Sequence, residues 1–289
     1  MRVVILGRRG GWHTESLLRA LERRRVAAEC CLVTQLTARI GGHPVLSASG
    51  IVLEGQDVVF VRAIPSGSLE QVIFRMDALR CLEQTGVRVV NPPASIEYGV
   101  DKYYTAALLE AAGLPTPRTV VAERFGDALA AFEELGGDVV VKPLFGSEGK
   151  GMVRVSDADS AYRLFRALEL GRYVYCLQEF LDHDGADVRA FVIGDEVVAA
   201  MLRRGAHWKT NAAQGGRGEP YPVDDRLREL SLRAVRLVGA EYAGVDLVPR
   251  GDDYTVLEVN SIPGWRVLKA ATGIDIGQHV VDHVLGVAP

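Results

Sequence analysis

The sequence predicts an α/β protein whose C-terminal part shifts to an α+β arrangement. Three observations carry that prediction. Apolar and amphipathic runs alternate from residue 2 to residue 91, as they do where a parallel sheet is built with crossover helices. From residue 139 onward several apolar runs come in neighbouring pairs around glycine turns, the pattern of antiparallel hairpins. Oxygen-bearing side chains interrupt the last two of these strands, at Asp246, Glu258 and Asn260.

Each element has a local reason. "RVVILG" (2–7) is a short apolar run ending in glycine, a buried strand. In "TESLLRALERR" (14–24), Leu17, Leu18 and Leu21 share a helical face and Thr14 is the expected cap. "VAAECCLV" (26–33) and "DVVFVR" (57–62) read as strands. Residues 68–86 form a long amphipathic helix, capped by Ser68 and stopped at Gly86. "VRVVN" (87–91) closes this segment before Pro92 and Pro93. A helix over 101–113 ends at Gly113, and "LPTP" forces extended backbone after it. The strand 139–146 runs into a glycine loop, and "MVRVS" (152–156) returns beside it. A helix (157–169), a strand (173–181) and a hairpin (186–203) turning at Gly194 and Asp195 follow. Residues 204–222 have no regular period and are too long for an inert connection, which predicts a functional loop. A helix (224–239), a hairpin (242–260) and two short helices finish the chain. The expected domains are 1–93, 94–177 and 178–289.

Composition narrows the class. The length of 289 residues suits two or three modest domains, and 48% hydrophobic with 24% charged residues is ordinary for a globular protein. A net charge of −4 offers no general attraction to nucleic acid or anionic membranes. No apolar run approaches the roughly 20 residues of a membrane span, and the first residues lack the apolar core and cleavage site of a signal peptide. Cys30, Cys31, Cys81 and Cys176 form no C-x-x-C pair and read as reduced apolar filler in a cytoplasmic protein. His279 and His283 have zinc-ligand spacing, but no third ligand lies near them in sequence, so no metal is expected there. The basic residues are overwhelmingly arginine. The lysines are Lys102, Lys142, Lys150, Lys209 and Lys269, which makes each a candidate for a compact charge on a flexible stem.

Two constellations could carry chemistry. "FGSEGKG" (145–151) places three glycines where backbone N–H groups can approach an anion. It is not a Walker A loop, because Gly151 stands where that motif needs Ser or Thr and a strand follows instead of a helix. A glycine flap beside Lys142, which sits in the apolar run "VVVKP", points to phosphate binding; a surface turn and a lysine reaching solvent are the plain alternatives. The second constellation is the closing hairpin. Residues i and i+2 of a strand share a face, so Glu258 and Asn260 lie side by side. A turn of Gly251, Asp252 and Asp253 would set Arg250 opposite Tyr254 and Asp246 opposite Glu258. Two carboxylates and an amide then converge, a set of hard oxygens suited to Mg²⁺; a carboxylate pair held by arginines is the alternative. Asp187 and Arg189 share one strand face, as do Met201 and Arg203, and a surface salt bridge is the plain reading of either charged position. "GRRGGWH" (7–13) is glycine-rich but lacks the dinucleotide fingerprint G-x-G-x-x-G.

The ordered set "VKPLFGSEGKGM", "QEFL", "DVRAFVIGDEVVAAMLRR", "GVDLV", "LEVNSIPGW" and "TGIDI" resembles the ATP-grasp superfamily, specifically its RimK-like α-L-glutamate ligases. The resemblance spans essentially the whole chain. It implies an ATP-grasp fold behind an N-terminal pre-ATP-grasp domain, and an ADP-forming carboxylate–amine ligase that works through an acyl phosphate. The implied cofactors are ATP and Mg²⁺, or Mn²⁺ in its place. Lys102 and Lys142 would contact the phosphates, and Gly146, Ser147, Gly149 and Gly151 would form the flap. Gln178, Glu179, Phe180 and Leu181 would line the adenine site, with Asp187 on the nucleotide. Asp246, Glu258 and Asn260 would hold the metal. Arg203 and Asn211 would act on the transferring phosphoryl group and the acyl phosphate, with Arg189 a further catalytic candidate. The resemblance leaves the roles of Lys150 and Lys209 open. Residues 61–93 and the ending "NSIPGW" resemble members that add glutamate to tetrahydromethanopterin more than LysX-like ligases of amino-group-carrier biosynthesis. Implied partners are L-glutamate and a pterin-like carboxylate, in a homodimer or homotetramer without nucleic acid or membrane. A protein C-terminus as acceptor and a non-catalytic nucleotide-binding regulator are the alternatives.

Overall fold

A computed structural model describes residues 1–146, 149–205, 208–210 and 217–287. The N-terminal part runs β1 (Val3–Leu6), α1 (Trp12–Arg23), β2 (Ala28–Cys31), β3 (Leu36–Ala38), β4 (Leu46–Ala48), β5 (Ile51–Val52), β6 (Val58–Val61), α2 (Leu69–Gln84) and β7 (Arg88–Val90). Its main sheet is parallel, in the order β2-β1-β6-β7. β1 and β6 are buried along their whole length, which explains their unbroken apolar runs. β3, β4 and β5 form a small antiparallel sheet that the pattern of residues does not announce. Ser68 caps α2 in a reciprocal box with Gln71. Thr14 does not cap α1: the helix starts at Trp12 with Gly11 as its cap residue, and Thr14 is buried inside.

The middle of the chain forms α3 (Pro93–Val100), α4 (Lys102–Ala111), β8 (Thr119–Ala122), α5 (Phe125–Glu134), β9 (Val139–Lys142), β10 (Val153–Val155), α6 (Ala158–Leu170) and β11 (Tyr175–Glu179). Its antiparallel sheet has the order β10-β9-β11-β8. One face packs Val139, Val141, Tyr175 and Leu177 against α5 and α6. α3, β8 and α5 were not expected from the sequence.

The remainder contains β12 (Ala186–Ile193), β13 (Glu196–Arg204), β14 (Arg217–Pro220), α7 (Asp225–Val238), β15 (Tyr242–Arg250), β16 (Asp253–Asn260), α8 (Arg266–Thr272) and α9 (Ile276–Leu285). The sheet order is β14-β13-β12-β15-β16. β14 falls inside 204–222, which therefore is not irregular throughout. One face of this sheet, including Val188, Ala190, Val245 and Val256, packs on α7. The other face is divided along its length. Phe191, Met201 and Tyr242 join Trp265 and the N-terminal residues Val3, Ile5 and Phe60 in one core. Two to four residues further along the same strands stand Arg189, Arg203 and Asp246.

The closing hairpin corrects the expected register. Its turn has two residues, so Arg250 pairs with Asp253 and Pro249 with Tyr254. Asp246 nevertheless faces Glu258, because a bulge intervenes: Leu247 pairs with Val256, and Leu257 is the extra residue. Cys30, Cys31 and Cys176 are buried as expected, but Cys81 is exposed, so it is not core filler. His283 lies 3.4 Å from Glu241. Among the described residues no helix is long and apolar enough to cross a membrane.

His13 joins the two ends of the chain. Its Nε2 accepts the Trp265 N–H at 3.0 Å, and its ring meets the Trp265 ring edge-on. Burial, with the Arg62 and Arg266 guanidiniums nearby, pushes the imidazole from 6.5 down to about 4. Between these values the unfolded chain binds a proton that the folded chain refuses. The contribution is complete above pH 6.5 and is lost as pH falls toward 4. Thermal melts across this window should show a shallower acid loss for His13→Gln than for the wild type.

Candidate active site

The cleft lies between the middle sheet and the divided face of the C-terminal sheet and is open to solvent along one side. The middle sheet supplies its cationic wall. Cys176 pairs with Lys142 and Gln178 with Val140, so Lys142 and Gln178 are diagonal neighbours on one face. Lys142 Nζ donates to Gln178 Oε1, and Gln178 Nε2 donates to Thr119 Oγ1 at 3.0 Å. Burial pushes the Lys142 ammonium down, against the pull of Glu258. Lys102 opens α4, whose N-terminus Asp101 caps through the Tyr104 N–H. Its Nζ donates to the Gly146 carbonyl at 2.8 Å and so reaches the base of the glycine loop. Gly151 has φ +74°, and a Cβ there would lie 2.8 Å from Pro143 Cγ, so no other residue fits without displacement.

Glu179 turns away from Gln178. Its carboxylate accepts the Arg118 backbone N–H at 2.9 Å and Nε–H at 2.8 Å. Phe180 donates its N–H to Asp138 O, and its ring lies under the Arg154 guanidinium at 3.5 Å. Trp208 meets the Phe180 ring edge-on.

The opposite wall is a buried charge ladder. Arg203 grips Asp187 with two donors, one of them Nε to Oδ1 at 2.8 Å. Its Nη2 also reaches Asp246 Oδ2 at 2.8 Å. Arg189 grips Asp246 from the other side, Nε to Oδ1 at 2.6 Å and Nη2 to Oδ2 at 2.7 Å. Burial alone would raise the Asp246 carboxyl; Arg189 and Arg203 outweigh it and hold it well below the usual range. The arginine-held carboxylate, one of the two readings left open by the residues, therefore describes Asp246. It does not describe Glu258. Among the described residues its one ion-pair neighbour is Arg189, at 3.9 Å. Burial, and then the Asp246 charge, push Glu258 up. Asn260 Oδ1 accepts the Ile262 N–H at 3.0 Å and keeps one lone pair.

This donor set fits a hard cation. Glu258 has one long ion-pair contact among the described residues, Asn260 retains an acceptor site, and Asp246 Oδ1 accepts one bond of the two it can take. No group of three His, Cys, Asp or Glu side chains suited to a metal occurs among the described residues. A cation here would complete its shell with water or substrate oxygens.

The cleft thus brings together Lys102, Lys142, Gly146, Gly149, Gln178, Glu179, Phe180, Leu181, Asp187, Arg203, Asp246 and Glu258. Arg189 stands behind Asp246, Asn260 beyond Glu258 on the same strand, and Gly151 at the loop base. Ser147 and Asn211 lie outside the described residues. Sequence reasoning assigned no role to Trp208, Thr210 and Lys209, which also line the cleft. Their signal was an aromatic and basic cluster, "HWKT", inside a glycine-rich stretch.

Residues 99–284 match the family described as the RimK-like ATP-grasp domain. The chain belongs to that family. A tetrahydromethanopterin:alpha-L-glutamate ligase of Methanococcus maripaludis is 33% identical over 100% of this chain and 99% of its own. Among solved structures, a RimK domain ATP-grasp protein from Sphaerobacter thermophilus shares the fold, with TM-score 0.79, 24% identity and coverage of 99% of this chain and 100% of that one. So does the ATP-grasp ligase PsnB, solved with a precursor variant, Mg and ADP, with TM-score 0.73, 24% identity and coverage of 99% and 97%.

The ladder makes a stability prediction. Asp187 and Arg203 are each 3% exposed, so Asp187→Asn should cost about 3 kcal/mol in urea unfolding by leaving a buried guanidinium short of charge. Asp138→Asn, at the exposed pair with Arg154, should cost less than about 1 kcal/mol.

Proposed function

We propose that this RimK-like ATP-grasp protein is an ATP- and Mg²⁺-dependent ligase that joins the amino group of L-glutamate to the carboxylate of a small, pterin-like cofactor. The observation that carries the reading is one cleft with Lys142 on one wall and the loosely paired Glu258 on the other. A half-buried lysine and a half-buried carboxylate both gain from a bound phosphate and its cation. The full-length likeness to a relative named for glutamate ligation to tetrahydromethanopterin supports the substrate class.

The chemistry follows from the leaving group. A carboxylate resists attack because it would have to expel oxide. Transfer of the ATP γ-phosphoryl group to a carboxylate oxygen gives an acyl phosphate and ADP. The glutamate amine then attacks the acyl carbon, the C–O bond to phosphate breaks, and the amine loses a proton. The residues of this chain position and neutralise. Lys102 and Lys142 offer ammonium groups to the phosphates, and the polar end of β11 with Phe180 offers an edge to the base. Arg203, braced by Asp187, is directed at the charge that develops on the phosphoryl group. Asp246, Glu258 and Asn260 would hold Mg²⁺, which supplies charge neutralisation at the phosphates. Gly146, Gly149 and Gly151 allow backbone to come close over the phosphates and keep water from the acyl phosphate.

Purified protein given ATP, Mg²⁺, glutamate and a pterin carboxylate should release ADP and phosphate only when both amine and carboxylate are present. Release of AMP and pyrophosphate would overturn the reading. Lys142→Met and Glu258→Gln should each lower kcat by about 100-fold or more, measured by coupled ADP release.

A further inference from the structure

The end of β16 is held from outside its own sheet. Asn91 follows β7 and is completely buried. Its Nδ2 donates to Tyr242 O at 2.7 Å and to Ser261 O at 2.6 Å. Its Oδ1 accepts from Glu241 N at 2.7 Å and Tyr242 N at 3.1 Å. A side-chain amide has two donors and two acceptor sites, and Asn91 uses all of them on backbone. These bonds sit where the β15–β16 ladder ends, since its last pair is Gly244 with Asn260. Two more N-terminal side chains grip the next turn of chain: Arg62 donates to Pro263 O at 2.8 Å, and His13 accepts from Trp265 N. Gly99 closes the remaining side, where a Cβ would lie 2.5 Å from Ser261 Oγ.

We propose that Asn91 is a positioning residue for the cation site, pinning the register in which Glu258 faces Asp246 and Asn260 follows on the same side. This rests on the cation role proposed above for those three residues. The need for a clamp comes from the bulge. If the pairing near the turn continued regularly, Asp246 would face Leu257 and Glu258 would face Val245, on the α7 side. The bulged register gives up regular pairing at Leu257. A fixed point at the far end of the ladder, outside both strands, opposes a slip back to the regular one. Asn91 touches no substrate; it acts through Tyr242 and Ser261.

The test measures binding rather than turnover, by calorimetry of ADP with the full chain, once with Mg²⁺ and once with EDTA. In the wild type Mg²⁺ strengthens ADP binding. Asn91→Asp has the same shape but loses both donors. It should lose about tenfold of the Mg²⁺-dependent gain, with ADP affinity in EDTA unchanged. Asn91→Ser, whose shorter hydroxyl reaches none of the four backbone groups, should show a loss of the same kind and serves if the aspartate variant does not fold. Leu79→Ala loosens the N-terminal core without touching the ladder and should keep the whole gain. Full retention of the gain in the Asn91 variants, or an equal loss in Leu79→Ala, overturns the proposal. A wild type without any Mg²⁺-dependent gain overturns the cation site itself and, with it, the reading of function.

Discussion

The site depends on one irregularity in one ladder. Between Val256 and Glu258 the chain inserts Leu257, so residues two apart no longer share a face. Val256 packs in the core with α7, whereas Glu258 looks into the cleft. A regular strand would have put a carboxylate among valines and leucines, at the desolvation cost of a buried charge. The bulge places that carboxylate opposite Asp246 and next to open space.

The charges around this point form a hierarchy. Asp187, Arg203, Asp246 and Arg189 neutralise one another in sequence across β13, β12 and β15. The forked, two-donor contacts of this ladder fix guanidinium planes in a buried setting. Glu258 is held more loosely, 3.9 Å from Arg189, and among the described residues the ammonium of Lys142 across the cleft has a neutral amide partner in Gln178. These two line the same cleft as Asp187, Arg203 and Asp246, and burial disfavours the charged form of each.

The N-terminal sheet contributes to the site without lining it. Asn91, Arg62 and His13 come from the C-terminal ends of β7 and β6 and from α1, and each holds a backbone group beyond Asn260. Phe191, Tyr242 and Trp265 pack with Ile5 and Phe60 in a single core. The placement of the acidic strand end is thus a property of the contact between the first and last thirds of the chain.

Local chemistry was enough to read much of this from the residues. Ser68 and Gly86 bound their helix, Lys142 ends an apolar strand beside glycines, and Glu258 and Asn260 share a face because alternation is a two-residue property. Thr14 misled because a buried threonine inside a first turn looks the same in sequence as one that caps it. The opposition of Asp246 and Glu258 was reached by a count in which two departures cancel: the turn is one residue shorter than expected, and the bulge adds one residue back. Nothing in "TVLEV" marks Leu257 as the extra residue, since a bulge is selected by packing on both faces of the sheet. The grip of Arg189 and Arg203 on Asp246 was likewise left open, because strand pairing, not spacing along the chain, decides which guanidinium meets which carboxylate. Alternation, capping and composition act over a few residues and were determined by the sequence alone; register, charge pairing and the hold of Asn91 act between distant segments, and only the tertiary structure decided them.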